Sequence, residues 1–99
     1  MTKSDIITFL QQYQTKLQTF GVNRIGLFGS FRREEATLDS DIDIFVIFQP
    51  DQKTFNNFMD LCFFLEDNLG RKIDLITPES LSTHFGHKIL DEVEYVPFT

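Results

Sequence analysis

The residues from Ser40 to Phe48 read Ser40-Asp41-Ile42-Asp43-Ile44-Phe45-Val46-Ile47-Phe48. Side chains of a β-strand alternate between its two faces, so Asp41 and Asp43 are predicted to share one face, while Ile42, Ile44 and Val46 share the other. Two neighbouring carboxylates repel each other and resist removal from water. A divalent cation relieves both costs. This run therefore predicts a metal-dependent reaction, with phosphoryl or nucleotidyl transfer as the main hypothesis.

A third aspartate, Asp74, lies between Ile73 and Leu75 in another apolar run, where an unpaired charge is costly. If the strands that carry Asp43 and Asp74 are neighbours, three carboxylates gather at one end of a sheet. Such a group suits two divalent ions roughly 4 Å apart. Because carboxylates are hard oxygen ligands, Mg²⁺ is expected, with Mn²⁺ as the other candidate, rather than zinc.

The three aspartates have distinct predicted roles in this reaction. Asp41 and Asp43 are expected to bind both ions, one of which holds a nucleoside triphosphate and its departing pyrophosphate. Asp74 is expected to bind the ion beside the attacking hydroxyl group and to accept its proton. The alternative interpretation of the aspartate pair is a solvated strand entrance with no metal.

Upstream, Gly29-Ser30 follows a short β-rich run and precedes a predicted short helix. Glycine lets the backbone turn sharply and approach a ligand closely, and a helix start directs free N–H groups towards an anion. Gly29 and Ser30 are therefore predicted to bind the β- and γ-phosphates, with Arg33 as a charge partner. By itself the dipeptide is far more typical of an ordinary turn, and the nearby aspartates are what favour phosphate binding.

Helical signals occupy much of the remaining chain. Ser4 is predicted to cap a first helix that ends at Gly21, and residues 31–37 favour a short polar helix. A longer helix with Gly70 as its stop is predicted from apolar spacing. The residues at that spacing are Phe55, Phe58, Met59, Cys62, Leu65 and Leu69.

The last third of the chain adds strand signals. Residues 72–77 form a predicted strand whose entrance, Arg71-Lys72, is interpreted as solvated. Thr77-Pro78 is expected to begin a last helix that includes Phe85, and Tyr95-Val96-Pro97 is expected to form an edge strand. The whole pattern predicts an α+β fold in which helices cover a small sheet.

Composition narrows the class of protein. Residues 1–99 are predicted to form a single domain, since 99 residues with 41% hydrophobic side chains can bury one core. The net charge of -6 argues against nucleic acid as a direct substrate, because nucleic-acid-binding surfaces are usually basic. One cysteine and no long apolar segment indicate a cytoplasmic location without membrane association.

The motifs Gly29-Ser30-Phe31-Arg32-Arg33 and Ser40-Asp41-Ile42-Asp43-Ile44 together resemble the signature of the DNA polymerase β-like nucleotidyltransferase superfamily. More closely, the chain resembles the minimal nucleotidyltransferases, or MNT proteins. Gly70 to Glu79 is similar to the strand that carries the family's third carboxylate, and Ile89 to Val93 is similar to its closing helix.

The resemblance implies the polymerase β-like nucleotidyltransferase fold, with a mixed sheet, magnesium and a nucleoside triphosphate that is usually ATP. It also implies an antitoxin that acts beside a helical HEPN ribonuclease toxin, and in some members inactivates it by AMP transfer to a tyrosine. The partner would supply the acceptor, because 99 residues leave no room for an acceptor-binding domain. A homo-oligomer is compatible with this pattern.

Two positions depart from the family pattern. Family members often have a basic residue where Phe31 stands and a glycine where Glu34 stands. These departures motivate a second hypothesis, in which the chain neutralises its toxin by binding alone. A third hypothesis is transfer to a nucleic acid or a small molecule such as an antibiotic, which the acidic charge disfavours. Phe31 itself is expected either to stack on a base, to touch a partner, or to pack beneath the short helix.

Overall fold

A computed structural model describes residues 1–81 and 86–98 of the chain. Its centre is a four-stranded sheet with the order β3-β2-β1-β4. The strands are β1 (Val22–Phe28), β2 (Ile42–Phe48), β3 (Ile73–Ile76) and β4 (Glu94–Tyr95). β2 runs parallel to β3 and antiparallel to β1, which is in turn antiparallel to β4. The mixed sheet confirms the predicted α+β class.

Helices connect and cover these strands. They are α1 (Lys3–Gln12), α2 (Gln14–Thr19), α3 (Gly29–Arg32), α4 (Phe55–Leu69) and α5 (Gly86–Glu92), with a 3₁₀ turn at Pro78–Ser80. α2 packs against β1, and α4 packs against β3. Among the helices of the described ranges, none is long and apolar enough to cross a bilayer.

The predicted first helix is two helices, interrupted at Tyr13. Its N-cap is Thr2 and not Ser4, so that prediction was wrong. Thr2 Oγ1 accepts a hydrogen bond from the backbone N–H of Asp5 (3.1 Å), and the Asp5 carboxylate accepts one from the N–H of Thr2 (2.9 Å). This reciprocal pair fixes an earlier start, because it satisfies two N–H groups at once.

The buried side of α4 differs in part from the predicted one. Leu61, Leu65 and Leu69 are buried at intervals of four residues, which places an aliphatic stripe against the sheet. Phe55, by contrast, is 78% exposed. Gly70 ends the helix in the left-handed conformation (φ 67°), as predicted.

The boundaries of the remaining elements also shifted. The predicted helix over residues 31–37 is the single turn of α3, which starts two residues earlier. The signal at Thr77-Pro78 produces only the 3₁₀ turn, after which Leu81 is extended (φ -76°, ψ 135°). Phe85, expected within that helix, lies outside the described residues. The predicted edge strand is β4, which pairs with β1 at the sheet edge.

Candidate active site

The strand register places two of the predicted site aspartates side by side. Asp43 of β2 is the register partner of Asp74 of β3 in the parallel pair, and on the other side it is paired with Phe28 of β1. Register partners on adjacent strands direct their side chains to the same face of a sheet. The expectation that the strands carrying Asp43 and Asp74 are neighbours is therefore confirmed, and β1 delivers Gly29 to the same place.

The Asp43 carboxyl group lies in an environment that disfavours its negative charge. Its pKa is raised to about 6, mainly by partial burial and further by the nearby charges of Asp74, Asp41 and Glu92, while Arg33 opposes the increase. Asp41, immediately before β2, and Asp74 are both exposed. A cation beside Asp43 would remove the repulsion that raises its pKa.

The raised pKa of Asp43 predicts a pH-dependent stability. Between pH 4 and 6 the folded chain binds a proton at Asp43 that the unfolded chain has largely released, so this carboxyl stabilises the fold at low pH and loses that contribution as the pH rises through 6. After allowance for solvent screening, Asp43→Asn should raise the free energy of unfolding by about 1–2 kcal/mol at pH 7.5 in chelator.

Urea unfolding of both chains at pH 4.5 and pH 7.5 measures this effect. The gain in the free energy of unfolding of Asp43→Asn over the native chain should be smaller at pH 4.5, where the native carboxyl is protonated. A constant difference between the two pH values would show that Asp43 carries no such repulsion.

The aspartates are close but not arranged around an ion. Within residues 1–81 and 86–98, no group of three Asp, Glu, His or Cys side chains has the geometry to hold a metal. The donor set nevertheless fits a hard divalent cation, since it consists of carboxylates under mutual repulsion. Asp41 and Asp74 are both exposed, so their carboxylates lie in solvent beside the partly buried Asp43.

Gly29 occupies a position where a larger residue would displace the Asp43 carboxylate. Its φ angle is +73°, a conformation that residues with a Cβ atom rarely adopt. A Cβ atom there would lie 1.9 Å from Oδ2 of Asp43 and 2.8 Å from its carboxyl carbon. The turn and the carboxylate are thus in direct contact, which joins the predicted phosphate-binding loop to the predicted metal ligands.

The predicted phosphate donors already hold an anionic side chain. The N–H of Gly29 donates a hydrogen bond to Oε2 of Glu92 (3.2 Å), and Nη1 of Arg33 donates to Oε1 of the same residue. Burial acts to raise the pKa of Glu92, but the hydrogen bonds from Arg33 and Gly29 outweigh it, so the pKa is lowered. Ser30, half-buried, follows in the first turn of α3.

Phe31 is only 2% exposed and belongs to the hydrophobic core. Of its predicted roles, packing beneath the short helix is confirmed, because a buried ring cannot stack on a base. Glu34 has a positive φ angle of 59°, a conformation that glycine adopts at lower cost. Glutamate at position 34, where family members often have glycine, therefore strains the backbone.

Arg71 has a structural role that sequence reasoning missed. Its Nη1 donates hydrogen bonds to the carbonyl oxygens of Thr37 (3.3 Å), Leu38 (3.1 Å) and Ser40 (3.0 Å). Its guanidinium carbon also lies 5.1 Å from the centre of the Phe31 ring. Arg71 thus holds the loop that precedes Asp41, a contact that the interpretation of Arg71-Lys72 as a solvated strand entrance did not include, while Lys72 is exposed as that interpretation expected. Carbonyl acceptors carry no residue-type signal, so no motif could have revealed the contact.

Removing this side chain should loosen the loop. We expect Arg71→Ala to lower the free energy of unfolding by about 1–3 kcal/mol, since it leaves carbonyl groups without a charged donor and removes a cation–π contact. Lys72→Ala is the matched control, because Lys72 is the adjacent, exposed cation. Denaturant unfolding measures both, and equal effects of the two substitutions would contradict the assigned role.

Comparison with known proteins identifies the fold family. A family model described as a nucleotidyltransferase domain matches residues 5–97. The chain belongs to the nucleotidyltransferase domain family. The resemblance to the minimal nucleotidyltransferases and the expectation of an enzyme of the nucleotidyltransferase class are both confirmed.

Individual relatives agree with this assignment. The chain is 38% identical over 97 residues to the protein adenylyltransferase MntA of Thermococcus cleftensis, with 97% of each chain covered. A solved structure assigned provisionally to the minimal nucleotidyltransferases superposes with a TM-score of 0.82 at 26% identity, covering 95% of both chains. A chain from a toxin–antitoxin crystal structure with AMP-PNP superposes at 0.69 with 25% identity, covering 90% of this chain and 73% of that one.

Proposed function

We propose that this nucleotidyltransferase transfers AMP from ATP to a hydroxyl group of a partner protein, in a reaction that depends on Mg²⁺ or Mn²⁺. The observation that carries the proposal is the register of Asp43 with Asp74, beside a glycine turn that contacts the Asp43 carboxylate. The similarity to a protein adenylyltransferase supports AMP as the transferred group and a protein as the acceptor.

In this proposal each site residue has a defined part. Asp41, Asp43 and Asp74 would hold the divalent cations, which supply charge neutralisation for the triphosphate and activation of the acceptor hydroxyl when bound. The acceptor oxygen forms a bond to the α-phosphorus while the bond from that phosphorus to the departing pyrophosphate breaks. Asp74 accepts the hydroxyl proton. Gly29, Ser30 and Arg33 bind the β- and γ-phosphates.

The partner in this proposal is a helical HEPN toxin, for which the chain is the antitoxin. This assignment extends the family resemblance, and the similarity to a chain from a toxin–antitoxin structure with AMP-PNP supports it. The proposed location is the cytoplasm, where ATP is available for this reaction.

A transfer assay with two positions of label tests the proposal. The chain is incubated with Mg²⁺ and a HEPN protein encoded beside it, using ATP labelled either at the α- or at the γ-phosphorus. The α-label should appear on the partner and the γ-label should not, and chelator should abolish the transfer. Absence of α-label on the partner under these conditions would refute AMP transfer.

Neutralisation by binding alone is the second candidate function. The observation that favours it is Glu92, which occupies the donors of the phosphate-binding turn, together with the open arrangement of the aspartates. In that case Asp43→Asn should still form the complex and protect cells from the toxin as the native chain does. Loss of protection in Asp43→Asn, with the complex still formed, would eliminate this candidate.

A further inference from the structure

Glu92, the last residue of α5, places its carboxylate between the two groups that the proposed function assigns to phosphate binding. One oxygen accepts the Gly29 N–H and the other accepts Nη1 of Arg33. A backbone N–H beside a guanidinium is a combination that binds phosphate as well as carboxylate. A ligand that needs these donors must therefore replace the Glu92 carboxylate.

The backbone of Glu92 is fixed separately from its side chain. Nε of Arg32 donates a hydrogen bond to the Glu92 carbonyl oxygen (3.0 Å) and lies 3.5 Å from Oε1 of Glu94. Glu94 is paired with Leu27 in the sheet. Because these contacts do not involve the Glu92 carboxylate, the side chain can rotate away while α5 and β4 keep their places.

The carboxylate is well suited to such an exchange. Its lowered pKa keeps it ionised at neutral pH. The Glu92 side chain retains 25% exposure and the Arg33 side chain retains 49%, so an incoming phosphate can reach the Arg33 guanidinium from solvent. Releasing Glu92 costs the free energy of breaking a partly exposed ion pair with Arg33, which is moderate.

We propose that Glu92 is an intramolecular competitor for the β- and γ-phosphates, which lowers the affinity of the site for ATP and equally for the pyrophosphate product. This proposal deepens the proposed function and rests on it. The competition lowers the affinity of every ligand that binds the Gly29 N–H and the Arg33 guanidinium by the same factor. It leaves the affinity of a ligand that does not bind these donors unchanged. In the reaction, the return of Glu92 to its donors favours pyrophosphate release.

Calorimetric titration with three probes tests this competition. ATP, inorganic pyrophosphate and AMP, each with Mg²⁺, are titrated into the native chain and into Glu92→Gln. The substitution removes the charge but keeps the shape of the side chain. It should tighten the binding of ATP and of pyrophosphate by the same factor, roughly threefold to tenfold. AMP lacks the β- and γ-phosphates, so its affinity should not change.

Glu35→Gln is the matched control. Glu35 also accepts a hydrogen bond from Arg33 (3.1 Å), but it makes no contact with Gly29 in the described structure and its side chain is 64% exposed. Glu35→Gln should change the affinities for ATP and pyrophosphate by less than about twofold. If Glu92→Gln does not fold, Glu92→Asp replaces it, because the shorter side chain cannot reach both donors.

The outcomes separate the two proposals. If the native chain binds ATP and pyrophosphate but Glu92→Gln binds them no more tightly, Glu92 is not a competitor, and the proposed function stands. An equal gain for AMP would also overturn the competition. If neither chain binds ATP or pyrophosphate, the proposed function fails and the competition fails with it.

Discussion

Asp43→Asn should reduce AMP transfer to the partner protein by at least about a thousandfold, because it removes a charged oxygen ligand from the centre of the proposed metal site. Asp43 is the partly buried member of the aspartate group, with Asp74 as its register neighbour and Gly29 in contact with its carboxylate. Asparagine keeps the shape but cannot neutralise a divalent cation. The measurement is the initial rate of α-label transfer at saturating Mg²⁺.

Asp39→Asn provides the control for this loss. Asp39 is an exposed aspartate in the loop that leads to Asp41. Asp39→Asn should leave transfer within about twofold of the native rate, as expected for an exposed position with no assigned part in the reaction. Transfer by Asp43→Asn at a similar rate would mean that the carboxylate does not take part in the reaction.

Gly29→Ala should lower transfer by about a hundredfold or more, since misplacement of reacting groups by about 1 Å has effects of this size. The new Cβ atom would lie 1.9 Å from Oδ2 of Asp43, so the carboxylate must move away from the turn. The positive φ angle of +73° adds backbone strain of about 1–2 kcal/mol. The assay is α-label transfer, combined with thermal unfolding.

The chain contains a matched control for the strain alone. Gly70 has a φ angle of +67°, but a Cβ atom there would meet nothing within 4 Å. Gly70→Ala should therefore lose a similar amount of stability while keeping most of its transfer activity. If Gly29→Ala remains as active as Gly70→Ala, contact between the turn and Asp43 is not needed for the reaction.

The neighbouring positions of Asp43 and Asp74 could be predicted from the sequence for a physical reason. Burying an unpaired charge is costly, so an aspartate inside a run of β-branched and aliphatic residues is expected at the end of a buried strand. Two such strands in a small sheet are often neighbours. The turn at Gly29 was predicted because glycine after a strand permits a turn that other residues resist, but its contact with the Asp43 carboxylate was not predicted.

The contacts of Glu92 and Arg71 could not be predicted in this way. Glu92 reaches Gly29 across 63 positions of the chain, and Arg71 binds carbonyl oxygens 31 to 34 positions away. Such contacts depend on where α5 and the loop before β2 settle after the core has packed. Local periodicity carries no information on that placement, which only tertiary packing fixes.

The boundaries of the helices were harder still to predict from the sequence. Thr2 began α1 where Ser4 was expected, because the reciprocal bonds between Thr2 and Asp5 satisfy more backbone groups than Ser4 could. In α4 the leucines, and not the phenylalanines, form the fully buried stripe. Both residue types are apolar, so composition alone could not show which of them faces the sheet.

Anomalous diffraction from a crystal of the chain grown with Mn²⁺ and a non-hydrolysable ATP analogue would examine the aspartate site itself. We expect an anomalous peak bound by carboxylate oxygens of Asp41, Asp43 and Asp74, with the β- and γ-phosphates on Gly29, Ser30 and Arg33. A bound nucleotide with no manganese at these aspartates, or with manganese held elsewhere, would show that they are not the metal site.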